Sequence, residues 1–110
     1  MAKGEFLGDF EQLVGLAIVR LGDAAYAVAI REEIGARTDR SVSIGAVYAT
    51  LERLERKGYV RSRLGEATPE RGGRAKRFVS LTPSGLAALR GSQRALRGML
   101  EGVGAQWQLG

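Results

Sequence analysis

The stretch from Arg40 to Gly58, RSVSIGAVYATLERLERKG, constrains the fold more than any other part of the chain. Its apolar residues recur at spacings of three and four, the repeat of an amphipathic helix with one buried face. They are Ile44, Val47, Leu51 and Leu54. Ser43 stands where a helix N-cap is expected, and the small residues Gly45 and Ala46 follow it. The pattern predicts a helix whose first turn can approach another surface closely.

The composition bounds the chemistry open to this chain. Its 110 residues suit one domain, and there is no Cys and no His. Disulfides, thiolate or imidazole metal sites and nucleophiles activated by imidazole are therefore excluded. No acidic pair and no glycine-rich segment matches a catalytic or phosphate-loop motif. We expect no enzyme, no catalytic residue, no metal site and no cofactor.

Charge and hydropathy indicate the class of partner. Seventeen Lys and Arg against twelve Asp and Glu give a formal net charge of +5, which favours a polyanion. The first residues, MAKGEFLGDFEQ, lack the layout of a signal peptide, and no apolar run approaches the about 18 residues that a membrane span needs. We expect a soluble, cytoplasmic protein with no membrane partner.

Two further helices are predicted before this stretch. The first, from Glu5 to Arg20, has more apolar surface than a one-sided surface helix needs. It is either a central core helix or a helix whose Leu7 and Phe10 also face a second copy. The second runs from Ala24 to Arg37, and the turn after it makes a helix-turn-helix with the Arg40–Gly58 helix.

After Gly58 the period of the pattern changes from 3.6 to 2. Tyr59 to Leu64 and Lys76 to Leu81 read as two paired strands, joined by the glycine-containing segment GEATPERGGRA. A cationic tip of this kind can contact a phosphate backbone or enter a minor groove, and it can equally be a solvated turn. The cations at the tip and its flank are Arg71, Arg74, Lys76 and Arg77.

Thr82 and Pro83 start the last predicted helix, as cap and first helical residue. Residues at alternating spacings of three and four then form a heptad seam. They are Leu86, Leu89, Gln93, Leu96, Leu100, Val103 and Trp107. A narrow seam on a final helix predicts pairing with a second copy of the chain. Because glycines weaken this helix, its extent beyond Gly102 stays open.

The order of elements predicts a mainly α fold with a small β-hairpin wing. This is the layout of a winged helix-turn-helix followed by a C-terminal dimerisation helix. We assign residues 1–82 to a DNA-binding domain, whose first helix can also join the dimer interface. Residues 83–110 form the dimerisation helix.

Three segments of the chain resemble the PadR-like transcriptional regulators. SIGAVYATLERLERKGYVRS is similar to the family's Ser-x-Gly-Thr-Leu-Tyr-Pro-x-Leu-x-Arg-Leu-Glu-x-x-Gly-Leu-Val run. GGRAKRFVSLTPSG resembles its wing and the entry to its last helix, and YAVAIREEI resembles its Tyr-Gly-Tyr-Glu-Ile segment. The similarity covers about Leu13 to Leu89. Ala46 and Ala49 depart from the family's Thr and Pro, which bears on the bases that are read.

The resemblance implies a transcriptional regulator in which Ser43, Gly45 and Tyr48 contact DNA. It also implies release by a small, often aromatic, effector near the dimer interface. Trp107, the only Trp, is either a contact for that effector or an anchor of the interface.

We therefore predict a sequence-specific regulator that binds double-stranded DNA. A homodimer would repress transcription from a palindromic operator. The predicted DNA contacts are Ser43, Gly45, Ala46, Tyr48, Ala49, Arg53, Arg71, Arg74, Lys76 and Arg77. Two of them have other interpretations: Tyr48 can pack at the helix edge, and Arg53 can pair with glutamates of its own helix. The alternative function is a winged-helix module that binds another protein.

Overall fold

The computed structural model describes residues 6–65 and 75–107. The elements are α1 (Asp9–Leu21), α2 (Ala27–Thr38), α3 (Ile44–Arg56), β1 (Val60–Leu64), β2 (Arg77–Leu81), α4 (Pro83–Leu100) and the single turn α5 (Gly104–Trp107). A 3₁₀ turn at Gly22–Ala24 joins α1 to α2. This confirms the predicted mainly helical fold with a hairpin wing. Within the described ranges, no helix is long and apolar enough to cross a membrane.

Side-chain caps fix two of the predicted helix starts. The Ser43 hydroxyl accepts the amide of Ala46 at 3.1 Å, and the Thr82 hydroxyl accepts the amide of Gly85 at 3.0 Å. Each cap satisfies an amide that has no partner within its helix. Both starts therefore follow from the residues at the boundary.

The first helix begins later than predicted, at Asp9. The residues before it are used for tertiary contacts, because the amide of Leu7 donates to the Ser92 hydroxyl at 2.8 Å. The predicted start, Glu5, lies outside the described residues. The shift places Leu7 in contact with α4 instead of in a helical turn.

The three helices of the first half bury their apolar stripes against one another. The largest fully buried side chains are Val14, Ile30, Val47 and Leu54. Each of the three helices supplies at least one of them, so the stripe of α3 predicted from spacing is the one that the core covers. Ile44, at the start of that stripe, is only partly buried.

The wing is attached to the rest of the fold through β2. The two strands are antiparallel, with Val60 opposite Leu81. On its other edge, β2 receives the segment before α2, since the Val79 amide donates to the Ala25 carbonyl at 2.9 Å. The base of the wing is thereby held in a fixed position relative to the helices.

The predicted seam of α4 divides into two parts. In the first part, Leu89 lies against Gly15 of α1, where an added Cβ would be 3.3 Å from its Cδ2 atom. One turn later, Gln93 Nε2 donates to Gln12 Oε1 at 2.6 Å. The seam residues further along, Leu96 and Leu100, are 53% and 44% exposed. The first half of α4 thus belongs to the core, and the second half extends beyond the start of α1.

Two residues predicted to lie in a dimer interface belong to the core of the single chain. Leu7 is 6% exposed and Leu89 is 3% exposed. Neither side chain has surface left for a partner, so this part of the prediction is wrong. The periodicity identified the buried face correctly but could not say that α1 covers it.

The helix that starts at Pro83, α4, ends at Leu100 and so does not extend to Gly102. Glu101 has extended backbone, and Gly102 has a φ of +77°, a conformation that favours glycine. The short α5 follows after this break. Val103 and Trp107 are therefore not on the same helix as the rest of the predicted seam.

Gly85 provides a test of the packing between α4 and the wing. An added Cβ would overlap the backbone carbonyl of Tyr59, whose amide and carbonyl are both held by hydrogen bonds to Leu54 and Thr82. We expect Gly85→Ala to lower the free energy of unfolding by about 1–3 kcal/mol. Urea unfolding measures it.

Gly91→Ala in the same helix is the matched control. There the nearest atom to an added Cβ is a guanidinium nitrogen of Arg94 at 3.9 Å. Because Ala is the better helix former, this change should raise the free energy of unfolding by up to about 1 kcal/mol. Changes of equal sign in the two variants would contradict the close packing at Gly85.

Candidate nucleic-acid interface

The outer face of α3 carries small side chains near its start. Gly45, Ala46 and Ala49 are exposed, and an added Cβ at Gly45 would meet no described atom within 4 Å. Tyr48, at the edge of this face, is 57% exposed. Because these side chains are small, the backbone of the first two turns of α3 can come into close contact with a partner surface.

The start of α3 also has the right polarity for a phosphate. The N-terminus of a 13-residue helix presents amide hydrogens and the positive end of its dipole. The Ser43 hydroxyl accepts a hydrogen bond as the cap, which leaves its own hydrogen free to donate to a second group.

At the base of the wing, two cations lie on aromatic rings. Lys76 Nζ is 3.8 Å from the centroid of the Tyr26 ring, and the Arg63 guanidinium carbon is 4.8 Å from that of Phe78. The two rings meet edge to face with centroids 5.8 Å apart. Cation–π contact positions a cation without cancelling its charge. Both charges therefore stay available to an anion outside.

A hydrogen-bonded chain connects the wing to the end of α3. The Ser62 hydroxyl donates to Glu55 Oε2 at 3.1 Å, and Arg77 Nη1 donates to the same hydroxyl oxygen at 3.1 Å. The predicted contact Arg77 is thus placed at the junction between the two elements.

Four predicted DNA contacts line one groove between α3 and the wing. The groove has a volume of about 880 Å³. Tyr48 and Ala49 form its α3 side, and Lys76 and Arg77 form its wing side. Sequence analysis predicted these residues on separate elements, and the fold brings them together.

Two exposed cations of the wing were missed by sequence analysis. Arg61 and Arg63 lie on β1, at the polar positions of the alternating strand pattern, and the alternation in YVRSRL contained their signal. Arg56, which helical spacing places on the outer face of α3, is exposed eleven residues after Gly45, three helical turns along that face.

Arg53, predicted to contact DNA, is held by a carboxylate of α1. Its Nε donates to Glu11 Oε2 at 2.9 Å, and Lys57 Nζ donates to the same oxygen at 3.3 Å. The expected alternative, pairing within α3, is not the one found. The guanidinium of Arg53 is therefore directed at α1 in this structure.

Glu11 itself is 6% exposed. Burial opposes its ionisation, but hydrogen bonds from the Gly8 amide, Arg53 and Lys57 outweigh burial and lower the pKa of this carboxyl. A lowered pKa in the folded state means that the ion pairs stabilise the fold above the ordinary glutamate pKa of about 4.3. This stabilisation is lost as the pH falls through the lowered pKa.

A second, apolar surface lies away from this groove. The exposed apolar residues at the end of the chain form what we call the apolar arm: Leu96, Met99, Leu100 and Trp107. A separate groove of about 410 Å³ runs between α1 and α2, with Leu13, Leu16, Val19 and Ile34 in its lining. Trp107 is 68% exposed, so its ring is open to a ligand or to another chain.

Other predicted residues stand as follows. Phe10 and Gln93 are partly buried and Leu86 is 39% exposed. Arg71 and Arg74, predicted at the tip of the hairpin, lie outside the described residues. In the described part of the chain, no group of three or more acidic, His or Cys residues could hold a metal ion.

Comparison with known proteins gives the family. The family model described as the transcriptional regulator PadR-like family matches residues 16–91. No curated protein matches the chain in sequence.

Solved structures show the same fold. The fold is similar to that of a PadR-like transcriptional regulator from Bacillus cereus, with a TM-score of 0.72, 18% identity and coverage of 92% of each chain. A PadR family transcription regulator from Clostridium difficile gives a TM-score of 0.70 at 20% identity, covering 92% of this chain and 99% of that one. A transcriptional regulator from Clostridium thermocellum gives 0.70 at 21% identity, covering 86% and 89%. Since the family model spans most of the sequence, this chain belongs to the PadR-like family of transcriptional regulators.

Proposed function

We propose that this regulator binds a palindromic operator as a homodimer, represses transcription there and is released by a small aromatic effector. The observation that carries DNA binding is the exposed, small-residue start of α3 beside the cations at the base of the wing. α3 enters the major groove with its first two turns, and the wing cations contact phosphates.

Specificity in this proposal comes more from fit than from long side chains. Gly45, Ala46 and Ala49 let the backbone of α3 approach the base edges, where Ser43 and Tyr48 supply hydrogen bonds. Few other polar groups reach from these turns. DNA shape and the spacing of the two half-sites therefore carry much of the discrimination.

The proposed dimer covers the apolar surfaces that a single chain leaves open. The apolar arm of one protomer packs on α1 of the other, next to the groove formed by Leu13, Leu16 and Val19. Both surfaces are apolar, and the described residues of the same chain cover neither of them. Residues 1–82 then serve as the DNA-binding part and residues 83–110 as the dimerisation part. Twofold symmetry presents α3 to two half-sites about one helical turn apart.

The two cations on aromatic rings test the DNA-binding mode. Arg63→Gln combined with Lys76→Gln should lower the affinity for duplex DNA roughly tenfold at 0.1 M salt. The slope of log affinity against log salt concentration should become shallower, by an amount that corresponds to about two phosphate contacts. Fluorescence anisotropy with a genomic fragment selected for binding, at several salt concentrations, measures both.

Arg90→Gln combined with Arg94→Gln removes the same charge from exposed positions of α4 that precede the apolar arm and is the control. It should leave the salt dependence unchanged. Wild-type affinity that does not fall with rising salt would contradict DNA binding and favour the protein-binding alternative.

Leu96→Glu tests the dimer. A carboxylate in a buried apolar interface is strongly unfavourable, so the variant should be monomeric at concentrations where the wild type is dimeric. It should also bind the operator more weakly. Sedimentation equilibrium measures the oligomeric state. Ala87→Glu, at an exposed position earlier in α4, should leave the dimer intact, and equal dissociation of both variants would argue against an interface at the arm.

Trp107 allows the effector to be observed directly, because it is the only Trp. Planar aromatic compounds that release the operator should quench or shift the emission of Trp107. Bound operator should weaken the affinity for such a compound by the same factor by which the compound weakens the affinity for the operator. Titration with and without operator measures both effects. Compounds that release the operator without changing the emission would remove Trp107 from the effector site.

A further inference from the structure

We infer that Glu11 determines specificity by holding Arg53 and Lys57 of α3 away from the DNA backbone. The inference rests on the proposed DNA binding and adds a residue of α1 that contacts no DNA. Glu11 acts as a positioning residue, because its effect passes through two cations of α3.

Both oxygens of the Glu11 carboxylate accept hydrogen bonds from groups within the fold. Oε1 accepts the amide of Gly8 at 2.9 Å, while Oε2 accepts Arg53 Nε and Lys57 Nζ at 2.9 and 3.3 Å. The side chain is 8% exposed. Arg53 and Lys57 are four residues apart, so one buried carboxylate neutralises two cations on one flank of α3.

The two cations lie where they would otherwise reach DNA. Arg53 follows Ala46 by seven residues and Ala49 by four, along the outer part of α3. The Arg53 and Lys57 side chains are 43% and 35% exposed, so solvent already reaches both. Once Glu11 no longer holds it, the Arg53 guanidinium would bind phosphates without regard to sequence.

The carboxylate cannot follow the cations outward, because its turn of α1 is fixed from the other side. Leu7 donates its amide to Ser92 at 2.8 Å, and Gln12 accepts from Gln93 at 2.6 Å. Glu11 is therefore a rigid anchor. It suppresses sequence-independent attraction and leaves the close fit at the start of α3 to decide which DNA is bound.

Glu11→Gln is the test, with Glu33→Gln as the matched control. Glu33 also holds two cations, Arg20 and Arg37, at 2.7 and 2.9 Å, and each substitution removes one negative charge. Glu33 lies on α2, and its partners lie on α1 and α2, so this network does not involve α3. Any difference between the two variants therefore reflects where the carboxylate lies in the fold and not the change in net charge.

We expect Glu11→Gln to raise the affinity for a random-sequence duplex several-fold at 0.1 M salt. For this duplex, the slope of log affinity against log salt concentration should become steeper, by an amount that corresponds to about one to two phosphate contacts. The ratio of operator to random-sequence affinity should fall. Glu33→Gln should leave the salt dependence and the ratio at wild-type values. Anisotropy titrations of the full chain with both duplexes measure all three quantities.

A purely structural role for Glu11 gives the opposite sign. Loss of folded protein would weaken binding to both duplexes in proportion, and thermal unfolding measures the folded fraction. The gain should disappear in Glu11→Gln/Arg53→Gln/Lys57→Gln, which lacks the released cations.

The outcomes separate the two proposals. A gain that persists without the cations overturns the inference, as do identical salt dependences in Glu11→Gln and Glu33→Gln or weaker binding to both duplexes. In those cases salt-dependent binding by the wild type leaves the proposed function standing. Wild-type protein that binds neither duplex overturns both.

Discussion

The close packing of α4 on α1 decides how the rest of this molecule is arranged. Gly15 has no side chain, so Leu89 lies directly on α1. Ser92, which accepts the Leu7 amide, and Gln93, which donates to Gln12, extend the contact to the start of that helix. Beyond Gln93, no residue of α1 covers α4. One amphipathic helix therefore contributes to the core over its first half and exposes the same face over its second half.

The cations near α3 are held in two physically different ways. Lys76 lies on an aromatic ring, which fixes its position without cancelling its charge. Arg53 lies on a buried carboxylate, which fixes its position and cancels its charge. The cationic charge around α3 is thus not spread evenly. Under the proposed function, the wing keeps its attraction for phosphate, while the α1 side of α3 is neutralised.

Local signals in the sequence predicted the elements well, because they depend on neighbouring residues. The caps at Ser43 and Thr82 and the change of period after Gly58 each need only a short window of chain. The contacts that build the site join residues far apart, as Glu11 and Arg53 are 42 residues from each other. A periodic pattern says which residues share a face and not what covers it. For this reason the seam was recognised, but the burial of Leu89 inside the chain was not.

In the proposed DNA-binding mode, a helix with small residues at its start depends on rigidity. Long side chains can adjust to a misplaced helix, whereas Gly45, Ala46 and Ala49 offer no such adjustment, so a small rotation of α3 loses the fit altogether. α3 is correspondingly fixed on both sides, by Glu11 on α1 and by the Glu55–Ser62–Arg77 chain to the wing. The same α1 that anchors α3 also carries α4 and with it the apolar arm. In a dimer built on that arm, the distance between the two α3 helices is set by packing that is already complete before DNA is bound.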